Sequence, residues 1–391
     1  MIPGQGFRLC TIDYRGLRNL TAAQLEFQKG LNIFVGDNGT GKSALLEAVH
    51  LLASGKSFRA ARLKSAVAWG DPGFVLRGHW SSQSSAYRVR SSHRFDGKES
   101  DLKFGSTSCT RVEILKQFPL LFVGAESLKF FEEGPGFRRR QLDIGGFHVE
   151  HSYLDSWRRY RRALSQRNAI LRSSSIPSNT LRRLLSPWDE EMANYAQHLH
   201  RSRSQFSTKL QAVLTTFTGS LGLPEGLSLR LKPGWDPDVG LQEQLEGNLE
   251  KDLSLGYSLR GPHRDDLVLK LNNRGALNAM SRGQQKAFML AFFLSMSQVM
   301  AQKSGRYPLL LFDDLAAELD NQHQKTLLSY LAGAPFQSLV TLVEARPEAE
   351  LPDSAAMFHV KHGAIYRCYN GPIISNGPDP HPHVEFNERY L

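Results

Sequence analysis

The sequence predicts an α/β fold interrupted by a helical insertion, on three observations. An apolar run at Ile33–Val35 leads through Gly36-Asp37-Asn38-Gly39-Thr40-Gly41-Lys42-Ser43 into a helical pattern with Leu45, Leu46, Val49 and Leu52 on one face. A second apolar run, Leu309-Leu310-Leu311-Phe312, ends on the carboxylates Asp313 and Asp314. Between the two, the pattern turns helical at about Gly145 and stays so to about Leu214.

The first element has the order strand, glycine loop, helix that a phosphate-binding P-loop requires. Glycines let the backbone approach phosphate oxygens, and the N–H groups of the loop then sit at the positive end of the helix dipole. Lys42 would neutralise β/γ-phosphates and Ser43 would hold Mg²⁺. The second element has the form of a Walker B strand, delivering acid to its C-terminal end. Asp313 would bind Mg²⁺, and Asp314 would orient or deprotonate the attacking water, which makes Asp314 and Lys42 the catalytic candidates.

A third element, Met280-Ser281-Arg282-Gly283-Gln284, precedes a long apolar helix over residues 285–300. Ser-x-x-Gln at that place is a capping box. It is also the form of the signature motif of ABC-type ATPases, where Ser281, Arg282, Gly283 and Gln284 would contact the γ-phosphate held by a second subunit. The two readings are compatible. The acids of the Walker B strand begin 29 residues after this motif (313 − 284), and Ala317-Glu318-Leu319-Asp320 follows them as an interface loop of such ATPases. Thr341, after the apolar run Ser338–Val340, falls where a γ-phosphate sensor is placed. Lys42 and Ser281 lie 239 residues apart (281 − 42), about twice what a transporter subunit needs and far less than a coiled-coil SMC protein inserts. The expected architecture is therefore an ABC-type ATPase head with an inserted helical arm. Its parts are the N-terminal head over 1–140, the arm over 141–254, the C-terminal head over 255–369, and a Pro-rich tail over 370–391 expected to be disordered.

Smaller elements follow the same logic. Residues 8–12 and 25–35 read as strands, as do 74–80, 86–90 and 102–104 between Ser/Gly/Asp-rich turns. Leu154, Trp157, Tyr160 and Leu164 form an apolar stripe, so Trp157 and Tyr160 are core rather than base-stacking residues. Ser173–Ser178, with Pro177, reads as a turn before a second helix starting near Trp188.

Composition bounds function. The 391 residues carry 48 Lys and Arg against 38 Asp and Glu, a formal charge of +10, which points to a polyanionic partner. Cys10, Cys109 and Cys368 form no C-x-x-C pair, so neither a zinc site nor a disulfide framework is indicated. Arg8, Asp13, Arg15 and Arg18 break any signal-peptide pattern, and Ala287–Met300 is too short to span a membrane. The reading is cytoplasmic, with no membrane partner. From Phe137 to Arg172 nine arginines stand against three acids. Arg138, Arg139, Arg158, Arg159 and Arg162 are DNA-contact candidates, through phosphates and without sequence specificity. His263 and Arg264, in a Gly-Pro loop, are open between a nucleotide, a DNA and a structural role.

These motifs together resemble the RecF family of bacterial DNA repair proteins over residues 8–367. The matches include Leu17-Arg18-Asn19, the P-loop, Leu46-Glu47-Ala48, Gly55-Lys56-Ser57-Phe58-Arg59, Gly134-Pro135-x-x-Arg138-Arg139, Trp157-x-x-Tyr160, Gln166-Arg167-Asn168 and Gly261-Pro262-His263-Arg264-Asp265-Asp266. With them Arg18 and Asn19 join Gly36–Ser43 as ATP-binding candidates. The resemblance implies an ATP-dependent homodimer that binds gapped DNA or single-strand/double-strand junctions. It also implies slow, DNA-stimulated hydrolysis, and action with RecR and RecO to load RecA. One departure stands out: Leu121 occupies the place of a Gln that resembles the Mg²⁺-sensing Q-loop residue. A transporter-type ATPase subunit and an ATP-binding structural DNA clamp with negligible hydrolysis remain the alternatives.

Overall fold

The computed structural model describes residues 6–82, 87–173, 178–277, 279–314, 321–343, 352 and 354–368. In chain order they first form β1 (Phe7–Arg15), β2 (Ala23–Glu26), β3 (Leu31–Val35), α1 (Lys42–Ser54), β4 (Phe74–Ser82), β5 (Arg88–Phe95), β6 (Ser100–Phe104), β7 (Thr107–Ser108), α2 (Arg111–Gln117) and β8 (Leu120–Val123). Then come α3 (Lys129–Glu132), α4 (Pro135–Val149), α5 (Tyr153–Leu171), α6 (Ser178–Leu214), β9 (Leu227–Lys232), α7 (Leu241–Gly247), α8 (Leu249–Leu255), β10 (Asp266–Leu271), β11 (Arg274–Gly275) and α9 (Arg282–Ser304). The last elements are β12 (Leu309–Phe312), α10 (Asn321–Gly333), β13 (Ser338–Leu342), β14 (Ala356–Lys361) and β15 (Ala364–Cys368). They fall into two compact units, one built from the chain up to Ser127 and from Ser304 onward, the other from Leu128–Lys303.

The first unit holds two six-stranded sheets, β2-β1-β4-β5-β6-β7 and β15-β14-β3-β13-β12-β8. The first is antiparallel throughout, while the second is parallel except for the β14–β15 pair. Strands β3, β12 and β13 are buried at every position, the mark of a parallel sheet covered on both faces. Strand β5 alternates exposed and buried residues, as a half-solvated antiparallel strand does. Leu45, Leu46, Val49 and Leu52 of α1 are all fully buried, in one core cluster with residues of both sheets. The expected single strand over 25–35 is instead β2, a turn and β3. The Asn32 side chain stabilises that turn, accepting from Gln28 N–H at 2.8 Å and donating to the Gly30 carbonyl at 3.0 Å.

In the second unit, α5 and α6 pack along the Tyr160, Leu164, Met192, Leu199 seam. Trp157 packs partly buried against the same cluster and Tyr160 is fully buried, as expected of core residues. Helix α6 starts ten residues earlier than expected and contains Pro187. Its first turns are held by Leu181 and Leu185, which are buried against Leu171 of α5 and outweigh the backbone hydrogen bond that proline removes. Of the expected turn, residues 174–177 lie outside the described ones. The expected 141–254 arm lies inside this unit, which also includes 128–140 and 255–303. The reason is pairing: β9 joins β10 in a three-stranded sheet, and Arg138 forks onto Asp266 at 2.7 and 3.0 Å.

Among the described residues, no helix is long and apolar enough to cross a membrane.

Buried His93 links β5 to the end of α1: Nδ1 lies 3.2 Å from the Leu51 carbonyl and Nε2 2.9 Å from Ser100 Oγ. That partner set fits a neutral ring donating at Nδ1 and accepting at Nε2. Burial is the main cause that brings its pKa down from 6.5 to about 4. The unfolded chain therefore binds the extra proton first, and the stability that neutral His93 contributes is lost as pH falls from about 6.5 toward 4. Its expected contribution to that loss is about 3 kcal/mol. Denaturant midpoints measured across this range should flatten in His93→Gln relative to wild type.

Candidate nucleotide site

The glycine loop between β3 and α1 has the backbone a phosphate cradle needs. A Cβ on Gly36 would lie 2.2 Å from the Val360 carbonyl oxygen, and Gly41 has φ of +116°. Asn19 Nδ2 donates to the Gly39 carbonyl at 2.9 Å and Gly363 N–H to the Thr40 carbonyl at 2.8 Å, so the loop is braced from outside. Thr40 Oγ1 donates to the Asp37 carbonyl at 2.9 Å. Helix α1 begins at Lys42 without a side-chain cap, which leaves first-turn N–H groups for an anion. The Lys42 ammonium, mostly buried, donates to the Gly36 and Asp37 carbonyls at 2.5 and 2.7 Å. Burial lowers its pKa, against the opposing pull of Asp314, Asp313 and Asp37.

Asp313, just past β12, is the hub of the site. Its Oδ1 accepts from Ser43 Oγ at 2.8 Å and from Thr341 Oγ1 at 2.9 Å. Thr341 Oγ1 in turn accepts from the Asp314 N–H at 2.7 Å, and Asp314 has a left-handed backbone with φ of +53°. One hydroxyl thus ties the Asp313 carboxylate to the Asp314 backbone. Its proton donated to Asp313, Thr341 braces the acids from the end of β13. The Ser43 Oγ to Asp313 Oδ1 separation of 2.8 Å is close to the about 3 Å between neighbouring oxygens around octahedral Mg²⁺. These two groups would hold that ion, with waters and phosphate oxygens completing its shell. The interface loop expected at Ala317–Asp320 lies outside the described residues.

A cleft of about 440 Å³ opens from Lys42, Ser43 and the two acids toward Arg18, Arg59 and Trp69. Arg18 is less available than expected: its guanidinium forks onto Glu47 at 2.8 and 2.9 Å and donates to the Ser65 carbonyl at 2.6 Å. Glu47, fully buried, also accepts from Ser57 Oγ at 2.5 Å, and Ser57 Oγ accepts from the N–H groups of Arg59 and Ala60. Glu47 thus shapes the chain that carries Arg59 to the cleft. Arg59 and the wholly exposed Trp69 line the cleft but are not among the candidates the sequence offers. Arg59 closes the Gly55-Lys56-Ser57-Phe58-Arg59 motif, whereas Trp69 stands in an irregular stretch with no period to flag it.

Leu121 is the second residue of β8 and pairs in register with Leu310, three residues short of Asp313. It is buried in the sheet. The strand comes level with the acids at Gly124, where an added Cβ would sit 3.5 Å from Asp313 Cβ. The expectation that position 121 stands at the metal is therefore corrected: its side chain belongs to the sheet core.

In the second unit, Ser281 and Gln284 form the capping box of α9, with Ser281 N–H to Gln284 Oε1 at 3.0 Å and Gln284 N–H to Ser281 Oγ at 3.3 Å. Ser281, Arg282 and Gly283 are exposed, and Arg282 meets Glu132 at 2.5 Å. The arginines divide sharply. Arg138 is buried and gives its donors to Asp266 and to the Phe130 and Glu133 carbonyls, so it is structural and not a DNA contact. Arg139 is half-buried and donates to the Asp265 carbonyl at 2.8 Å through one of its nitrogens. Arg158, Arg159 and Arg162 are exposed on α5, with Arg159 resting on the Tyr195 ring. His263 has a structural role: Nδ1 meets Tyr160 Oη at 2.6 Å and Nε2 the Ser258 carbonyl at 2.9 Å.

The chain matches the RecF/RecN/SMC N terminal domain over residues 8–365. It is 35% identical over 359 residues to the DNA replication and repair protein RecF of Chromohalobacter salexigens, covering 90% of this chain and 98% of that one. The chain belongs to the RecF family. The RecF of Thioalkalivibrio sulfidiphilus is also 35% identical, over 90% of this chain and 98% of its own. A solved structure of the recombination mediator protein RecF with ATP, in the RecFOR pathway, superposes with a TM-score of 0.78 at 26% identity, covering 93% of this chain and 100% of that one. The Smc head domain of Pyrococcus furiosus, solved with the C-terminal domain of ScpA, has a TM-score of 0.56 at 16% identity, covering 93% of this chain and 96% of that one, and shares the fold.

Removing one member of a buried ion pair leaves the other uncompensated. Arg18→Met strands the fully buried Glu47 carboxylate and should cost about 3–5 kcal/mol, read as a lower denaturant midpoint, whereas Glu47→Ala strands only the partly exposed Arg18 and should cost less. Equal losses in the two variants would contradict the account of Glu47 as a buried charge that depends on Arg18.

Proposed function

We propose that this chain is an ATP-switched DNA-binding protein of recombinational repair and replication restart, acting in the cytoplasm on gapped DNA or single-strand/double-strand junctions. The observation that carries the reading is the convergence of Ser43, Asp313 and Thr341 at the head of the glycine loop. Family membership and the ATP named with a RecF relative support it. RecO-like and RecR-like mediators are the partners that the RecFOR pathway of that relative suggests, with RecA loading as the outcome.

Lys42 exchanges its two loop carbonyls for phosphate oxygens, since its ammonium already lies over the cradle. Mg²⁺, when bound, supplies charge neutralisation between the β- and γ-phosphates. Asp314, with its backbone tied to Thr341, orients the attacking water. Asp is shorter than the Glu common in ABC-type ATPases, so turnover is slow and the protein acts as a timer. Trp69 offers an aromatic face to the base at the far end of the cleft. Ser281 Oγ accepts from Gln284 and so keeps its own proton for a ligand. On this reading the ligand is the γ-phosphate bound by a second copy, and ATP closes a homodimer. The exposed α5 row of Arg158, Arg159 and Arg162 meets DNA phosphates. The negligible-hydrolysis clamp drew its support from Leu121, which the register of β8 places in the sheet.

Sedimentation with Mg-ATP should show a dimer for wild type and a monomer for Lys42→Ala and Ser281→Arg. Asp314→Asn should dimerise as wild type does while its phosphate release falls at least tenfold. A wild-type protein that stays monomeric with ATP would sink the two-copy site.

A further inference from the structure

The outward face of the antiparallel sheet takes no part in the site described above. Along β5 the inward residues Val89, His93 and Phe95 are buried, while Arg88, Arg90 and Arg94 are exposed on the opposite side. The gap in that series, at Ser92, is filled from the next strand: Arg77 of β4 pairs in register with Ser92 and is also exposed. Strand residues on one face recur about every 6.8 Å, so the backbone positions of Arg88, Arg90 and Arg94 span a tract of roughly 20 Å, with Arg77 one strand to the side of the Ser92 gap. No acid lies on β5, and among the described residues no ion pair engages Arg77, Arg88, Arg90 or Arg94.

An ordinary solvated sheet face mixes both signs of charge, because like charges on neighbouring strands repel. Asp13 of β1 stands opposite Arg77, and Asp101 of β6 stands opposite Arg94 but is bridged to Lys103 at 3.3 Å, so Arg77, Arg88, Arg90, Arg94 and Lys103 outnumber the two carboxylates among them. Repulsion of this kind is relieved by a polyanion. The tract also lacks the buried aromatic or aliphatic anchor around which protein interfaces are built; Val75, which is half-buried, is the apolar neighbour of Arg94. Backbone phosphates need only charge and hydrogen-bond donors, and arginine supplies both.

We propose that Arg77, Arg88, Arg90 and Arg94 form a second nucleic-acid surface, on the first unit, that grips the phosphate backbone of the duplex part of the substrate. This inference rests on the DNA-binding function proposed above and adds a surface distinct from α5. It assigns the sheet to sequence-independent grip.

The test is fluorescence anisotropy of the full chain with a labelled gapped duplex, titrated at several salt concentrations. The variants are Arg77→Ser/Arg90→Ser/Arg94→Ser and the matching triple Arg→Lys. Each duplex phosphate contact contributes about 0.9 to the slope of log affinity against log salt. The Ser triple should therefore lower that slope by about 2–3 and weaken binding at least tenfold at ~0.15 M salt. The Lys triple should retain most of the slope, and both should bind a fluorescent ATP analogue as wild type does. If wild type binds DNA and the Ser triple matches it in slope and affinity, the inference is overturned while the proposed function stands. If wild type itself binds no DNA, the proposed function fails and the inference falls with it.

Discussion

The carboxylate of Asp313 holds the site together. It is the terminus of a strand buried at every position, and it accepts from the first turn of α1 and from β13 at once. The parallel order β3-β13-β12 brings these three chain ends to one edge of the sheet. The Ser43, Asp313 and Thr341 contacts convert that topological fact into a fixed set of oxygens. Asp314 inherits its position from the same hydroxyl. A slip of one residue in the β12–β13 register would turn Asp313 to the other face of the sheet and dissolve all of it.

In the second unit, charge has two separate uses. Arg167 and Arg203 are almost wholly buried; each reaches two carboxylates, Asp189 with Asp252 and Asp143 with Asp265, at 2.6–2.7 Å. Arg138 on Asp266 belongs to the same kind. Such pairs fix how α4, α5, α6 and the β9–β10 sheet fit together, because a misfit leaves an ion without its counter-ion. The remaining arginines of α5 are exposed and cover one another's aromatic neighbours, Arg159 on Tyr195 and Arg161 on Trp157. They are the ones left for a partner.

The sequence made the nucleotide half of the molecule legible because its signals are local. A glycine at position 36 or 41, a lysine after it, and two acids after an apolar run each state a backbone requirement at their own positions. The α5 stripe was legible for the same reason. What could not be read were choices made by distant residues. Arg138 and Arg158 look alike in a basic segment, and only the pairing of β10 brings Asp266 to the first. Pro187 reads as a break until Leu181 and Leu185 find Leu171. Leu121 looks like a lost ligand until the β8–β12 register shows it three residues short of the acids. Trp69 carries no pattern at all.

The central claim is that nucleotide state controls the grip on DNA. The direct measurement compares equilibrium affinity for gapped, duplex and single-stranded DNA, each with Mg-ATP and without nucleotide, at matched salt. The account predicts at least tenfold tighter binding of gapped DNA with Mg-ATP, lost in Lys42→Ala, with the single-stranded and duplex controls weaker. Equal affinity with and without Mg-ATP, or no preference for the gap, would contradict it.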